Sequence, residues 1–144
     1  PQGARDRRVG RDTRALAAGA SACHAERMER VLGIGGYFLR AQDAAALLAW
    51  YRDVLGMQLG EWGEWMPEPG PTIVATFEAD SDYLGRREQQ TMLNFRVRDL
   101  DAMLTQVRAA GGVVLDEVQE MDGVGRFGWV VDPEGTRVEL WQPV

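Results

Sequence analysis

Cysteine and histidine are nearly missing from this sequence of 144 residues; each occurs once, as Cys23 and His24. A lone thiol excludes any intrachain disulfide. It suits a reducing compartment, so a cytoplasmic location is expected. A lone imidazole excludes, within this chain, any metal site built from two His and one carboxylate. Long apolar runs are absent too. No stretch reaches the roughly 18 apolar residues that a spanning helix needs, so no membrane partner is expected. An excess of positive charge is also lacking. The formal net charge is −6, and an acidic body repels a phosphate backbone, which argues against nucleic acid as a partner.

The charge is unevenly spread. Residues 1–27 hold six Arg against Asp6, Asp12 and Glu26, a net of +3, which leaves −9 on residues 28–144. The first 27 residues have no apolar block of signal-peptide length and no clear periodicity. Met28-Glu29-Arg30-Val31 looks like a natural start. Residues 1–27 are therefore expected to be a disordered leader or start-site extension, and 28–144 the folded domain. With 45% apolar residues and five Trp, that domain has material for one core and is too short for two ordinary domains.

An internal repeat organises it. Shifting the sequence by 56 places lays residues 37–61 over 93–117, and eight of 25 columns are identical, including Arg40/Arg96, Asp43/Asp99, Leu48/Leu104, Arg52/Arg108 and Gly56/Gly112. Unrelated segments would give roughly one or two. Module one is placed at 31–90 and module two at 91–144. Each opens with an expected strand (34–40 and 91–97), followed by Asp43 or Asp99 as helix N-cap. Helices are expected over 44–55 and 100–110, ended by Gly56 and Gly111. Further strands are expected at 72–77, 127–131 and 137–141.

The run Val131-Asp132-Pro133-Glu134-Gly135 reads as a tight turn. With Pro133-Glu134 at its tip, Gly128 lies opposite Glu139 and Arg126 opposite Trp141. Trp129, Val131, Val138 and Leu140 then form an apolar face expected to meet the helices, with Tyr37, Leu39, Leu93 and Phe95 also inward. Gly36, Phe38, Arg40, Met92, Asn94, Arg96, Arg126, Glu139 and Trp141 fall on the other face, expected to line a cleft. Trp50 and Trp129 are expected in the core.

Three stretches carry a resemblance: Asn94-Phe95-Arg96-Val97-Arg98-Asp99-Leu100-Asp101, Gly125-Arg126-Phe127-Gly128-Trp129, and the terminal Asp132-Pro133-Glu134-Gly135-Thr136-Arg137-Val138-Glu139-Leu140-Trp141. Together with the tandem βαβββ layout over 31–144, they resemble the vicinal oxygen chelate superfamily of glyoxalase I, bleomycin-resistance proteins and extradiol dioxygenases. The resemblance implies an α+β fold in which paired modules form a curved, partly open mixed sheet, a cup with helices on its convex face. It also implies a homodimer, and the stretch Trp62-Gly63-Glu64-Trp65 is a candidate for covering the subunit boundary. Family enzymes hold a divalent metal in the cup with His, Glu or Gln from the first and last strands of each module. Carried onto this chain, those positions fall on Gly36, Met92 and Glu139, with the fourth between Glu78 and Gln90. Glycine offers no side chain and a thioether is a poor ligand for a hard or borderline cation. No cofactor is therefore expected.

Two readings of function compete with a third. The first is a metal-free binder of a small organic molecule. Arg40, Arg96 and Arg126 would converge with Asn94 on an anionic group, and Phe38, Trp65 and Trp141 would supply flat walls; Met92 lines the same face. The alternative is a lyase, isomerase or dioxygenase of the same superfamily. Its metal site would be non-standard or completed by a dimer partner, or Glu139 would act as a metal-free general base. The bland counterpart is Arg96 pairing with Glu139 across the sheet. A purely structural or interaction domain is the third class.

Overall fold

The computed structural model describes residues 29–144. Cys23, His24, Met28 and the expectation about residues 1–27 lie outside the described residues. The chain divides into two units, Pro1–Phe38 and Leu39–Val144.

In the first unit, residues 29–38 carry no regular secondary structure. The strand expected over 34–40 is not formed, and Tyr37 and Leu39, expected inward, are exposed. Gly33, Gly35 and Gly36 account for this locally, since glycine loses the most backbone entropy in a strand and brings no side chain to a pleated face.

The second unit holds an α+β arrangement of two helices and an open four-stranded mixed sheet. Helix α1 is Ala44–Asp53; it is followed by β1 (Leu93–Arg96), α2 (Leu100–Ala109), β2 (Val113–Met121), β3 (Gly125–Val131) and β4 (Arg137–Pro143). The strand order is β1-β4-β3-β2, with β1 parallel to β4 and the remaining pairs antiparallel. Module two is thus a complete βαβββ unit. Module one contributes its helix, but residues 72–77 carry no strand; the one pairing among residues 39–92 is an isolated bridge between Leu59 and Trp65. Pro67, Pro69 and Pro71 precede that segment, and each lacks the N–H a ladder needs.

The two helices begin alike because the repeat supplies the same cap. Asp43 Oδ1 accepts from the Ala46 N–H and Asp99 Oδ1 from the Ala102 N–H, each at 2.9 Å. Both bury one side in a common core: Leu47 and Tyr51 of α1, Leu55 just beyond it, and Leu100, Leu104 and Val107 of α2. These meet Leu93, Val130, Val138 and Leu140 of the sheet. Gly128 lets α2 come close, since a Cβ there would stand 3.3 Å from the methyls of Leu100 and Leu104. Trp50 packs against this core as expected.

The β3–β4 connection corrects the expected register. Val131 pairs with Arg137, so five residues, 132–136, form the loop. Asp132 widens it: its Oδ1 accepts the N–H groups of both Glu134 and Thr136 at 2.9 Å, and Gly135 takes a φ of +81°. Pairing shifts by one residue from the Pro133-Glu134 tip, and Trp129, rather than Gly128, lies opposite Glu139. A one-residue slip exchanges the faces of a strand. Arg126, Gly128 and Val130 therefore share the helix face with Val138 and Leu140. Phe127, Trp129 and Val131 share the opposite face with Arg137, Glu139 and Trp141.

The same loop seats helix α1. Asp132 is buried, and its Oδ2 accepts the Tyr51 hydroxyl at 3.0 Å. Glu134 Oε1 accepts the backbone N–H groups of Gln42 and Asp43, at 2.9 and 3.1 Å, where α1 begins. A carboxylate at that end meets the positive pole of the helix.

Candidate functional site around Glu139

The face of the sheet turned away from the helices centres on Glu139, in the middle of β4. On β1 its register partner is Asn94, and on β3 it is Trp129. Glu139 is only 6% exposed. A buried carboxylate is costly unless hydrogen-bonded, and this one is: Oε1 accepts the Tyr83 hydroxyl and Oε2 accepts the Asn94 side-chain amide, both at short range. The Tyr83 ring stacks on Phe77 at 4.8 Å and meets Trp129 edge-on at 6.0 Å. Burial, and then the hydrogen bond to Glu139, hold the Tyr83 phenol well above its ordinary pKa, so it stays a donor.

Aromatic rings share this face. Phe127 and Trp141 stack with centroids 6.0 Å apart, and the Trp141 indole N–H donates to the Val124 carbonyl at 3.2 Å. Trp129 is 3% exposed, and its indole N–H has no partner among the described residues. Placing Trp129 here corrects its assignment to the helix-facing core.

Residues 81–91 run across this face as a strap. Arg137 Nη1 donates to the Tyr83 carbonyl at 3.1 Å. Gln89 grips the start of β4 from both sides: its Oε1 accepts the Arg137 N–H at 2.8 Å and its Nε2 donates to the Arg137 carbonyl at 2.7 Å. Arg86 donates to the Glu134 carbonyl at 3.2 Å.

The residues singled out from the sequence separate. Asn94, Glu139 and Trp141 share the site face. Arg96 is on the same face, but its guanidinium is occupied: it donates to the carbonyls of Glu68 (2.7 Å) and Pro69 (3.0 Å) and does not pair with Glu139. Met92 is half-buried just ahead of β1. Arg40 is exposed in the second unit, and Phe38 belongs to the first unit, 96% exposed. Trp65 meets Phe95 edge-on at 5.9 Å. Arg126 is a correction. The register turns it to the helix face, where it pairs with Asp101 at 2.8 Å and Glu120 at 3.2 Å. Its guanidinium holds the Asp101 carboxyl below its usual range. The expected convergence of Arg40, Arg96 and Arg126 is not formed. The sequence reading missed Tyr83, Arg86, Gln89 and Arg137. Of these, only Arg137 carried a signal, lying two residues before Glu139 on one strand.

Among the described residues, the donor set at these positions does not fit a catalytic metal. Gly36 and Met92 offer no suitable ligand, Glu139 is taken up by Tyr83 and Asn94, and among the described residues no three of His, Cys, Asp and Glu gather as a candidate site. Nor is any described helix long and apolar enough to cross a membrane.

Comparisons with known proteins agree with this architecture. A model of the glyoxalase-like domain matches residues 36–141. Among solved structures, the chain is similar to TnmS3, an antibiotic-binding protein from Streptomyces sp. CB03234. The TM-score is 0.54 at 21% identity, covering 81% of this chain and 100% of that one. It is also similar to the fosfomycin resistance protein FosX from Listeria monocytogenes (0.55, 16%, 80% and 96%). A third is a glyoxalase/bleomycin resistance protein/dioxygenase superfamily member from Sphaerobacter thermophilus (0.53, 18%, 78% and 98%). No curated protein matches. At these identities the solved structures speak for the fold alone, whereas the domain model spans most of the sequence: the chain belongs to the glyoxalase-like domain family.

Proposed function

We propose that this chain binds a small organic molecule on the Glu139 face, without a resident catalytic metal. The observation that carries the reading is the buried Glu139 carboxylate, held by Tyr83 and Asn94 on the face it shares with Phe127, Trp129 and Trp141. A carboxylate so engaged serves as an anchor for the site's shape, and the half-buried Phe127 ring on the same face offers an organic body an aromatic contact. The antibiotic-binding description of TnmS3 and the fosfomycin-resistance description of FosX support a ligand of drug-like size. Homodimerisation and a cytoplasmic location belong to the same reading; a monomer by light scattering would remove the first.

The test is ligand binding followed by intrinsic Trp fluorescence and thermal unfolding, alongside metal analysis of the purified protein. A true ligand at a hundred times its Kd stabilises the fold by about 2.7 kcal/mol. Near-stoichiometric zinc, nickel or iron that disappears in Glu139→Ala would overturn the reading.

A further inference from the structure

Beside the strap lies a shallow concavity of about 450 Å³, lined by Gly85, Arg86, Leu115, Val131, Gly135 and Arg137. Val131 and Arg137 are on the Glu139 face, so this is an end of that face and not a separate side of the molecule. Gly85 lets Arg137 come close, since a Cβ there would stand 3.1 Å from Arg137 Cβ, and the Arg86 guanidinium lies against Gly135.

The charge here is unusual for such an acidic chain. Neither Arg86 nor Arg137 takes part in an ion pair among the described residues; the ion-paired arginines are Arg52, Arg98 and Arg126. Of the acids close in sequence, Glu88 forms no ion pair with either arginine, Glu139 is held by Tyr83 and Asn94, and Glu134 turns its carboxylate to Gln42 and Asp43 and offers Arg86 only its backbone carbonyl. Each guanidinium is steadied by one carbonyl, Arg86 by that of Glu134 and Arg137 by that of Tyr83, and each keeps further N–H donors free. Two like charges beside one hollow repel each other, and an anion between them removes that cost. Leu115 and Val131 meanwhile give the hollow apolar side chains, which bare inorganic anions do not need.

We propose that Arg86 and Arg137 form the anion-recognising end of the ligand face, taking the carboxylate of a small organic acid whose apolar body lies on Leu115 and Val131. The inference rests on the small-molecule reading above and names the class of ligand. It replaces the arginine trio expected from the sequence.

Cyclohexanecarboxylate and cyclohexanecarboxamide, alike in shape and different in charge, are the probes. Backbone amide NMR shifts report the location and the apparent Kd. The acid should bind about tenfold more tightly than the amide, with shifts centred on Gly85, Leu115, Val131 and Gly135. Raising the salt concentration should narrow that gap. Arg86→Gln and Arg137→Gln should each weaken the acid about fivefold and leave the amide unchanged, and Arg86→Lys should restore part of the loss. Equal binding of acid and amide, or shifts elsewhere on the face, would overturn the inference and leave the small-molecule reading standing. No shift on the face with either probe, at concentrations to the solubility limit, would count against both. Arg86 is exposed, so its variant folds and keeps the test decisive if Arg137→Gln does not.

Discussion

Replacing Tyr83 with phenylalanine removes the hydroxyl that donates to Glu139 while keeping the ring that stacks on Phe77. Glu139 is then left with Asn94 as its one side-chain donor in a buried position. A hydrogen bond to a charged group contributes about 1.5–3 kcal/mol. Tyr83 is only half-buried, so water replaces part of the lost bond, and the expected loss is about 1–2 kcal/mol. Urea denaturation at pH 7 reads this as a lower midpoint with an unchanged slope. The pH dependence adds a signature. The folded-state pKa of Tyr83 lies above its unfolded value of 10.0. Its contribution is therefore fully present below pH 10 and is lost as pH rises through the folded value. The gap between wild type and Tyr83→Phe should narrow above pH 10. A gap under about 0.5 kcal/mol at pH 7, or one that stays constant up to pH 11, would refute the argument that this phenol steadies the buried carboxylate.

Other parts of the fold are open to equally direct tests. Asp132→Ala removes three acceptor interactions, one of them from the buried Tyr51 hydroxyl. It should cost about 2–5 kcal/mol in the same denaturation assay, and a double-mutant cycle with Tyr51→Phe should show coupling of at least about 0.5 kcal/mol. Gly70→Ala places a methyl 1.5 Å from Arg96 Nη1. It should release Arg96 from the Glu68 and Pro69 carbonyls, read as faster amide exchange over residues 66–71 and no change at β3. Asp101→Asn should narrow the pH range of wild-type stability from the acid side. The Asp101 carboxyl is held below its usual value, so its contribution is present above that value and fades as pH falls through the folded one. Acid titration followed by far-UV circular dichroism checks the direction.

Much of the fold was legible because it is written locally. Asp43 and Asp99 sit one residue ahead of apolar helical spacing, and each caps its helix as a short side chain there must. Leu93 and Phe95 alternate with Asn94 and Arg96, and that period alone puts Asn94 beside Glu139. What failed was long-range or one residue out of step. Nothing in the Pro133-Glu134 dipeptide reveals that the Asp132 carboxylate collects two backbone donors and lengthens the loop. That error carried Arg126 onto the wrong face and Trp129 off the right one. Tyr83 and Gln89 reach the site from an irregular segment with no hydrophobic period. Their partners lie 56 and 48 residues away in sequence, a separation that propensity cannot bridge. The strands expected in module one failed where glycines and prolines outweigh the repeat.

The five-residue loop after β3 acts as the phase setting of the whole hairpin. Substitutions along β3 change one contact at a time, but deleting a single loop residue inverts every contact at once, sending Trp129 to the helices and Arg126 toward the carboxylate. Length at 132–136 is therefore held more tightly than composition on either flank. A chain redesigned for a new ligand has freedom in the strands and none in that count.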